Sequence, residues 1–288
     1  MTGFDTVIMI DWSGGNDTGP RPRKDAIWAG ITQGGIDRDP VYLRNRALAE
    51  AWITATLDAE AQAGRRVCLG FDFAFAFPAG FAAALTGDPD PLALWDWVAA
   101  RIEDTPRRNN RFDLAATINR GFPGHGPFWF NGLARDIPDL PRKGRERTFR
   151  WQPERRATER AAKGSFACWQ LGGAGAVGSQ VLTGMPVLAR LRARHGARLG
   201  VWPFEAAQRQ ITLLEVWPSL ITPTIAALAA EGEIRDRAQM RILARAIAAL
   251  PHDRLAAMLD RPADPEGWIF GVGHEEWLKA AAGAEVSR

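Results

Sequence analysis

Cysteine is scarce in this sequence. Cys68 and Cys168 are the only two in a chain of 288 residues, too few for a disulfide scaffold. Cys68 sits in an apolar, strand-like run, where a buried thiol is the ordinary expectation. A reducing cytoplasm suits both. Histidine is thin as well: His125, His195, His252 and His274 stand far apart. No two are at metal-ligand spacing, so there is no zinc motif. No apolar run approaches the roughly 20 residues that span a bilayer. MTGFDTV has neither the basic part nor the long apolar part of a signal peptide. Low-complexity tracts are missing too. These absences predict a cytoplasmic globular protein with no membrane partner.

Charge is present but nearly balanced, with a formal net of +3. Such an excess does not by itself imply a nucleic-acid partner. Its distribution says more. Residues 142–163, RKGRERTFRWQPERRATERAAK, hold nine Lys or Arg against three Glu. That local excess suits a polyanion, a nucleic acid or a nucleotide. A solvated face in an arginine-rich chain would read the same way.

Hydrophobic patterning predicts an α/β order. VIMID (7–11), AIWAGIT (26–32) and PVYLRN (40–45) read as strands, with Gly34-Gly35 as a hairpin signal. Residues 46–64 read as a helix that Gly64 is placed to end. RVCLGFDF (66–73) reads as a strand buried on both faces, in the middle of a mixed sheet. Residues 85–195 are rich in Gly, Pro and Trp and read as a long insertion of short helices and ordered loops, closed by a helix at 185–194. RLGVWPFE (198–205) and ITLLEVWPSL (211–220) read as further strands, and GWIFGVG (267–273) as a short last one before a terminal helix. Between them, residues 234–250 form an amphipathic helix with Met240, Ile242, Leu243, Ile247 and Leu250 on one broad face.

Two of the predicted strands end in a carboxylate, Asp11 and Asp72. In parallel or mixed sheets, ligand sites lie outside the carboxyl ends of strands. If the two strands are neighbours, their carboxylates meet and repel unless a proton or a cation lies between them. Oxygen ligands suit magnesium or manganese, and such a metal promotes phosphoryl chemistry. Asp236, near the start of the amphipathic helix, is the third candidate ligand, with Glu205 and Glu215 as alternatives. Asp11 and Asp72 have ordinary readings too, as turn formers, and an acid in the first turn of a helix is common.

The strand-one Asp, the three-strand meander, the strand-four Asp and the Asp on a late helix resemble the ribonuclease H-like fold. More narrowly, VIMIDWSGG with KDAIW, then GFDFAFAFP, RATER, AVGSQVLTGMPVLARLR and EVWPSL resemble an uncharacterised bacterial family of unknown function whose members are predicted to be ribonuclease H-like nucleases. The resemblance covers roughly residues 5–272. It implies one domain over 1–288, with a five-stranded mixed sheet flanked by helices and the insertion after strand four. It implies metal-dependent phosphodiester hydrolysis, with Asp11, Asp72 and Asp236 as catalytic metal ligands. A fourth acid, usual in such nucleases, is not obvious, although Glu159 is available.

Candidate phosphate contacts are Ser13 in WSGG, Lys24 at the opening of strand two, and Arg156, Arg160 and Lys163, whose spacing puts them near one helical face. GAGAVG (173–178) lacks the strand and the acid of a dinucleotide site, but its backbone N–H groups could meet a phosphate. The aromatics of GFPGHGPFWF could stack on a base, though a local core is the commoner role of such a cluster. Two alternatives to a nuclease stand beside it. Sugar kinases and actin-like ATPases resemble the same core but carry it twice. A non-catalytic module binding a phosphorylated ligand or a partner protein would keep the carboxylates without using them.

Overall fold

The computed structural model describes residues 3–173 and 175–284. The chain divides into two compact units. The first comprises residues 1–72, 192–263 and 268–288, and the second residues 73–191 and 264–267.

The first unit is built on a mixed sheet of six strands: β1 (Thr6–Asp11), β2 (Ile27–Gln33), β3 (Ile36–Leu43), β4 (Val67–Phe71), β5 (Leu199–Val201) and β6 (Ile211–Glu215). Their order across the sheet is β3-β2-β1-β4-β6-β5. The β1–β2 and β2–β3 pairs are antiparallel, and β1–β4, β4–β6 and β5–β6 are parallel. The helices in chain order are α1 (Arg46–Gln62), α2 (Phe81–Thr86), α3 (Pro91–Ala99), α4 (Arg111–Asn119), α5 (Ala157–Ala161), α6 (Gly178–His195), α7 (Thr222–Leu228), α8 (Arg235–Ala248), α9 (His252–Leu259) and α10 (Glu275–Gly283). None among the described residues is long and apolar enough to cross a membrane.

The sheet has six strands where the resemblance implies five, and the expected strand RLGVWPFE does pair, though only over Leu199–Val201 at the sheet edge beside β6. GWIFGVG does not form the last strand. It contributes a single bridge, Ile269 to Glu215. Gly267, Gly271 and Gly273 all take positive φ, which breaks an extended run as soon as it begins. One sheet of this kind is present among the described residues, not the pair that a kinase-like or actin-like chain would carry.

Strand alternation sets the two faces of the sheet. Val7 and Met9 of β1, Trp28 of β2, Cys68 of β4 and Leu214 of β6 belong to one buried cluster with Met240, Leu243 and Ile247 of α8. Helix α8 lies across β1 and β2 on that face. The contact is close: a methyl group built at Gly30 would overlap the backbone carbonyl of Met240. The β2–β3 register also shifts between Ala29 and Ile31, the local irregularity that a strand glycine commonly marks.

The second unit holds α2 to α5 and most of α6, linked by ordered loops. Phe77, Phe81, Phe128 and Trp169 pack ring against ring in its interior, and Phe128 and Trp169 are fully buried. The GFPGHGPFWF aromatics Phe122 and Phe128 thus belong to a local core. Gly178 donates its N–H to the Gln170 carbonyl at 2.9 Å, and a side chain there would strike the carbonyls of Cys168 and Gln170. GAGAVG is therefore a packed turn, with Ala174 outside the described residues.

Replacing Gly30 by Ala forces α8 away from the sheet. We expect a loss of about 1–3 kcal/mol in unfolding free energy, read as a lower urea midpoint. An unchanged midpoint would show that α8 has room to spare.

Candidate active site: a carboxylate pair at the strand ends

Period-two alternation carries the core face of β1 and β4 one step past the hydrophobic run. Val7 and Met9 face α8, so Asp11 does too. Cys68 faces α8, so Gly70 and then Asp72 follow. The parallel register pairs Ile10 with Phe71, which sets Asp11 beside Asp72 at the carboxyl ends of adjacent strands. The helical period does the rest. Asp236 lies one turn before Met240 and two before Leu243, on the stripe that α8 presses against the sheet.

The Asp11 and Asp72 carboxyl groups lie close enough to interact directly, a proximity that disfavours ionising both. Asp72 Oδ1 also accepts the Trp12 backbone N–H at 2.7 Å. Burial, then the Asp72 charge, then the nearby Asp236 and Asp25 push the Asp11 carboxyl well above the usual carboxylate range. Burial also lifts Asp72, to about 6, and Asp236 lifts it further, against the hydrogen bonds from Asp11 and Trp12 that lower it. Asp236 is raised by burial and by Asp25, and lowered by the Asp25 backbone N–H and by the charges of Arg235 and Lys24. That Asp25 N–H reaches Asp236 at 2.6 Å. It is aimed there by a left-handed backbone, φ 57° at Asp25, a conformation aspartate tolerates.

The loop after β1 is held by a buried guanidinium. Arg46 donates to the carbonyls of Ser13 at 2.8 Å and of Gly15. Ser13 Oγ accepts from Gly15 N–H at 3.1 Å, so this hydroxyl caps its own turn beside the carboxylates. Lys24 is exposed, with Nζ 4.0 Å from Asp25, and its charge acts on Asp236.

The alternatives to Asp236 are placed elsewhere. Glu205 binds Arg192 at 3.2 Å and Arg209 at 3.7 Å. Glu215 is paired with Phe71 across β4–β6, on the face opposite Leu214 and α8. In the second unit the expected basic face does not form. Helix α5 spans only Ala157–Ala161, so Arg156 precedes it and Lys163 follows it. Arg156 is buried, its Nε 2.7 Å from Glu159, and donates to the Glu266 carbonyl at 3.1 Å. It is a structural ion pair and not a phosphate ligand, and it removes Glu159 as a fourth acid. Arg160 and Lys163 are exposed.

Whether these residues suit a metal divides into chemistry and geometry. The donors are hard oxygens at a crowded, partly buried site, where a cation would relieve the repulsion between Asp11 and Asp72. Among the described residues, however, no group of three His, Cys, Asp or Glu is gathered closely enough to hold a metal ion. Two carboxylates are in contact, and Asp236 lies within electrostatic reach of both. No family model, curated protein or solved structure matches the chain.

Raised carboxyl pKa values bind more protons in the folded than in the unfolded state. Their stabilising effect is complete below the ordinary value of 3.8 and is lost as pH rises through about 6 and beyond. Asp11→Asn and Asp72→Asn should therefore unfold at higher temperature than the parent at pH 8 without divalent cations, by on the order of 1 kcal/mol. The gap should close toward pH 4. Equal or lower stability of both variants at pH 8 would mean that the pair is not under strain.

Proposed function

We propose that the protein is a divalent-metal-dependent phosphodiesterase of ribonuclease H-like type, acting at Asp11, Asp72 and Asp236 on a nucleic acid or nucleotide. One observation carries the reading: two carboxyl groups at the ends of adjacent parallel strands lie side by side, and both are held above the usual carboxylate range. Structural acids are usually matched by a cation or by several hydrogen bonds. This pair is matched largely by itself, which is how functional carboxylates are commonly recognised.

In this reading Asp11 and Asp72 hold magnesium or manganese and Asp236 completes the set. A divalent cation there supplies charge stabilisation for a phosphoryl group and acidifies a water. The protein's own contribution is orientation. The Trp12 N–H fixes one Asp72 oxygen, and the Asp25 N–H fixes one Asp236 oxygen. Burial by the α8 face keeps the local dielectric low, which strengthens every charge interaction at the site. Ser13 and Lys24 border the carboxylates and are candidate substrate contacts. The sheet order β3-β2-β1-β4 followed by a parallel strand supports the ribonuclease H-like part of the proposal.

Cation binding competes with protons on the raised carboxyls. Manganese affinity should therefore rise as pH rises through about 6, with protons released on binding. Calorimetric titration in two buffers of different ionisation enthalpy measures both quantities. Asp11→Asn and Asp72→Asn should lose at least tenfold in affinity and at least 100-fold in hydrolysis of a phosphodiester. Wild-type affinity in Asp11→Asn, or no manganese binding by the parent at pH 8, refutes the assignment.

A further inference from the structure

Beside Lys24, the loop from β1 to β2 carries two cations, Arg21 and Arg23, that the carboxylate site leaves unassigned. Its residues Thr18, Gly19, Pro20, Arg21, Pro22, Arg23 and Lys24 line an open recess of about 540 Å³. Three of the seven are cationic and none is acidic. Arg21 and Arg23 are exposed, and neither has an ion-pair partner among the described residues. The recess ends at Lys24, and the next residue, Asp25, gives its N–H to the Asp236 carboxylate at 2.6 Å.

The loop is also rigidly held. Asp17 accepts from Arg44 Nε at 2.9 Å, from Asn45 Nδ2 at 2.7 Å and from the Gly19 N–H at 2.7 Å. Tyr42 donates its hydroxyl to the Gly19 carbonyl at 2.9 Å, and Trp28 donates Nε1 to the Arg23 carbonyl at 3.0 Å. Pro20 and Pro22 fix φ on either side of Arg21.

The basic run 142–163 is different. Arg142 pairs with Asp136, Arg147 with Glu154 and Arg156 with Glu159, while Arg155 and Arg160 donate to the carbonyls of Ser165 and Arg155. Much of its charge is committed to holding its own loops.

We propose that Arg21, Arg23 and Lys24 form a backbone-binding track for a nucleic-acid strand, which they lead to the Asp11–Asp72–Asp236 site. The identity of the ligand rests on the phosphodiesterase reading. The recess has no aromatic lining on which a base could stack, so recognition is of phosphates and is indifferent to sequence.

The test is binding without turnover. A fluorescein-labelled twelve-residue oligothymidylate is titrated with protein in EDTA, and anisotropy is followed across a salt series. The triple variant R21A/R23A/K24A should bind at least tenfold more weakly at 50 mM salt. Its plot of log affinity against log salt should be shallower by about 2, since each contact to a single strand contributes about 0.7. R21K/R23K should keep the wild-type slope, which separates lost charge from a misfolded loop. R160A/K163A should bind as the parent does, and an oligoadenylate should bind like the oligothymidylate. The proposal is overturned if the triple variant keeps wild-type affinity and slope, if the loss falls on R160A/K163A instead, or if the parent does not bind the strand. Competition by inorganic triphosphate at the strand's own concentration would make isolated phosphate the ligand and would overturn it too. Manganese-dependent cleavage is scored separately. Wild-type cleavage by the triple variant removes the track and leaves the phosphodiesterase. Strand binding through the loop with no cleavage by the parent removes the phosphodiesterase and leaves the track.

Discussion

Helix α8 can lie on β1 and β2 because Gly30 has no side chain to hold it off. Backbone meets backbone at that point, and several features of the first unit follow from this approach. Met240, Leu243 and Ile247 reach the face lined by Val7, Met9 and Trp28 and close the core. The first turn of the helix is carried to the end of the same face, where Asp236 meets the Asp25 N–H. A helix set farther out would leave Asp236 in solvent and the pair Asp11–Asp72 with one neighbour fewer. Packing and site geometry are thus one constraint expressed twice.

The carboxylate pair opposes this packing. Burial raises both groups, and each ionised state is penalised by the other. The fold tolerates the pair because protonation can remove part of its charge. That arrangement is better satisfied by a dication than by a proton, since one dication offsets both charges at once. The site therefore has the profile of a functional feature that is retained at a cost to stability.

The three aspartates were legible in the sequence for a physical reason. An acid that ends a fully apolar strand keeps the alternation of that strand, and an acid one turn before the apolar stripe of a helix keeps the stripe's direction. Asp11 and Asp72 obey the first rule and Asp236 the second, whereas Glu215 falls on the opposite face. The strand meander and α8 were legible for the same reason, being long and periodic. What was hidden depended on partners distant in sequence. Arg156 reads as a surface cation until Glu266, 110 residues later, contributes the carbonyl that it binds. GWIFGVG reads as a strand until its glycines turn. RLGVWPFE was legible as a strand but its extent was not, since β5 pairs over three residues only.

Charge was the least legible property, because counting it over a window ignores pairing. The run 142–163 has the larger formal excess, yet carboxylates and carbonyls nearby take up much of it. The segment 18–24 is short and its three cations draw no attention in a composition plot, yet no carboxylate lies among the residues of its recess. Attraction for a phosphate chain comes from cations that are not already neutralised and that release counterions on binding. In the proposed reading the β1–β2 loop, and not the longer basic run, would be the electrostatic approach to the aspartates. A strand gripped at Arg21 and Arg23 would then be led past Lys24 toward Asp236, so that the cations that capture it also orient it.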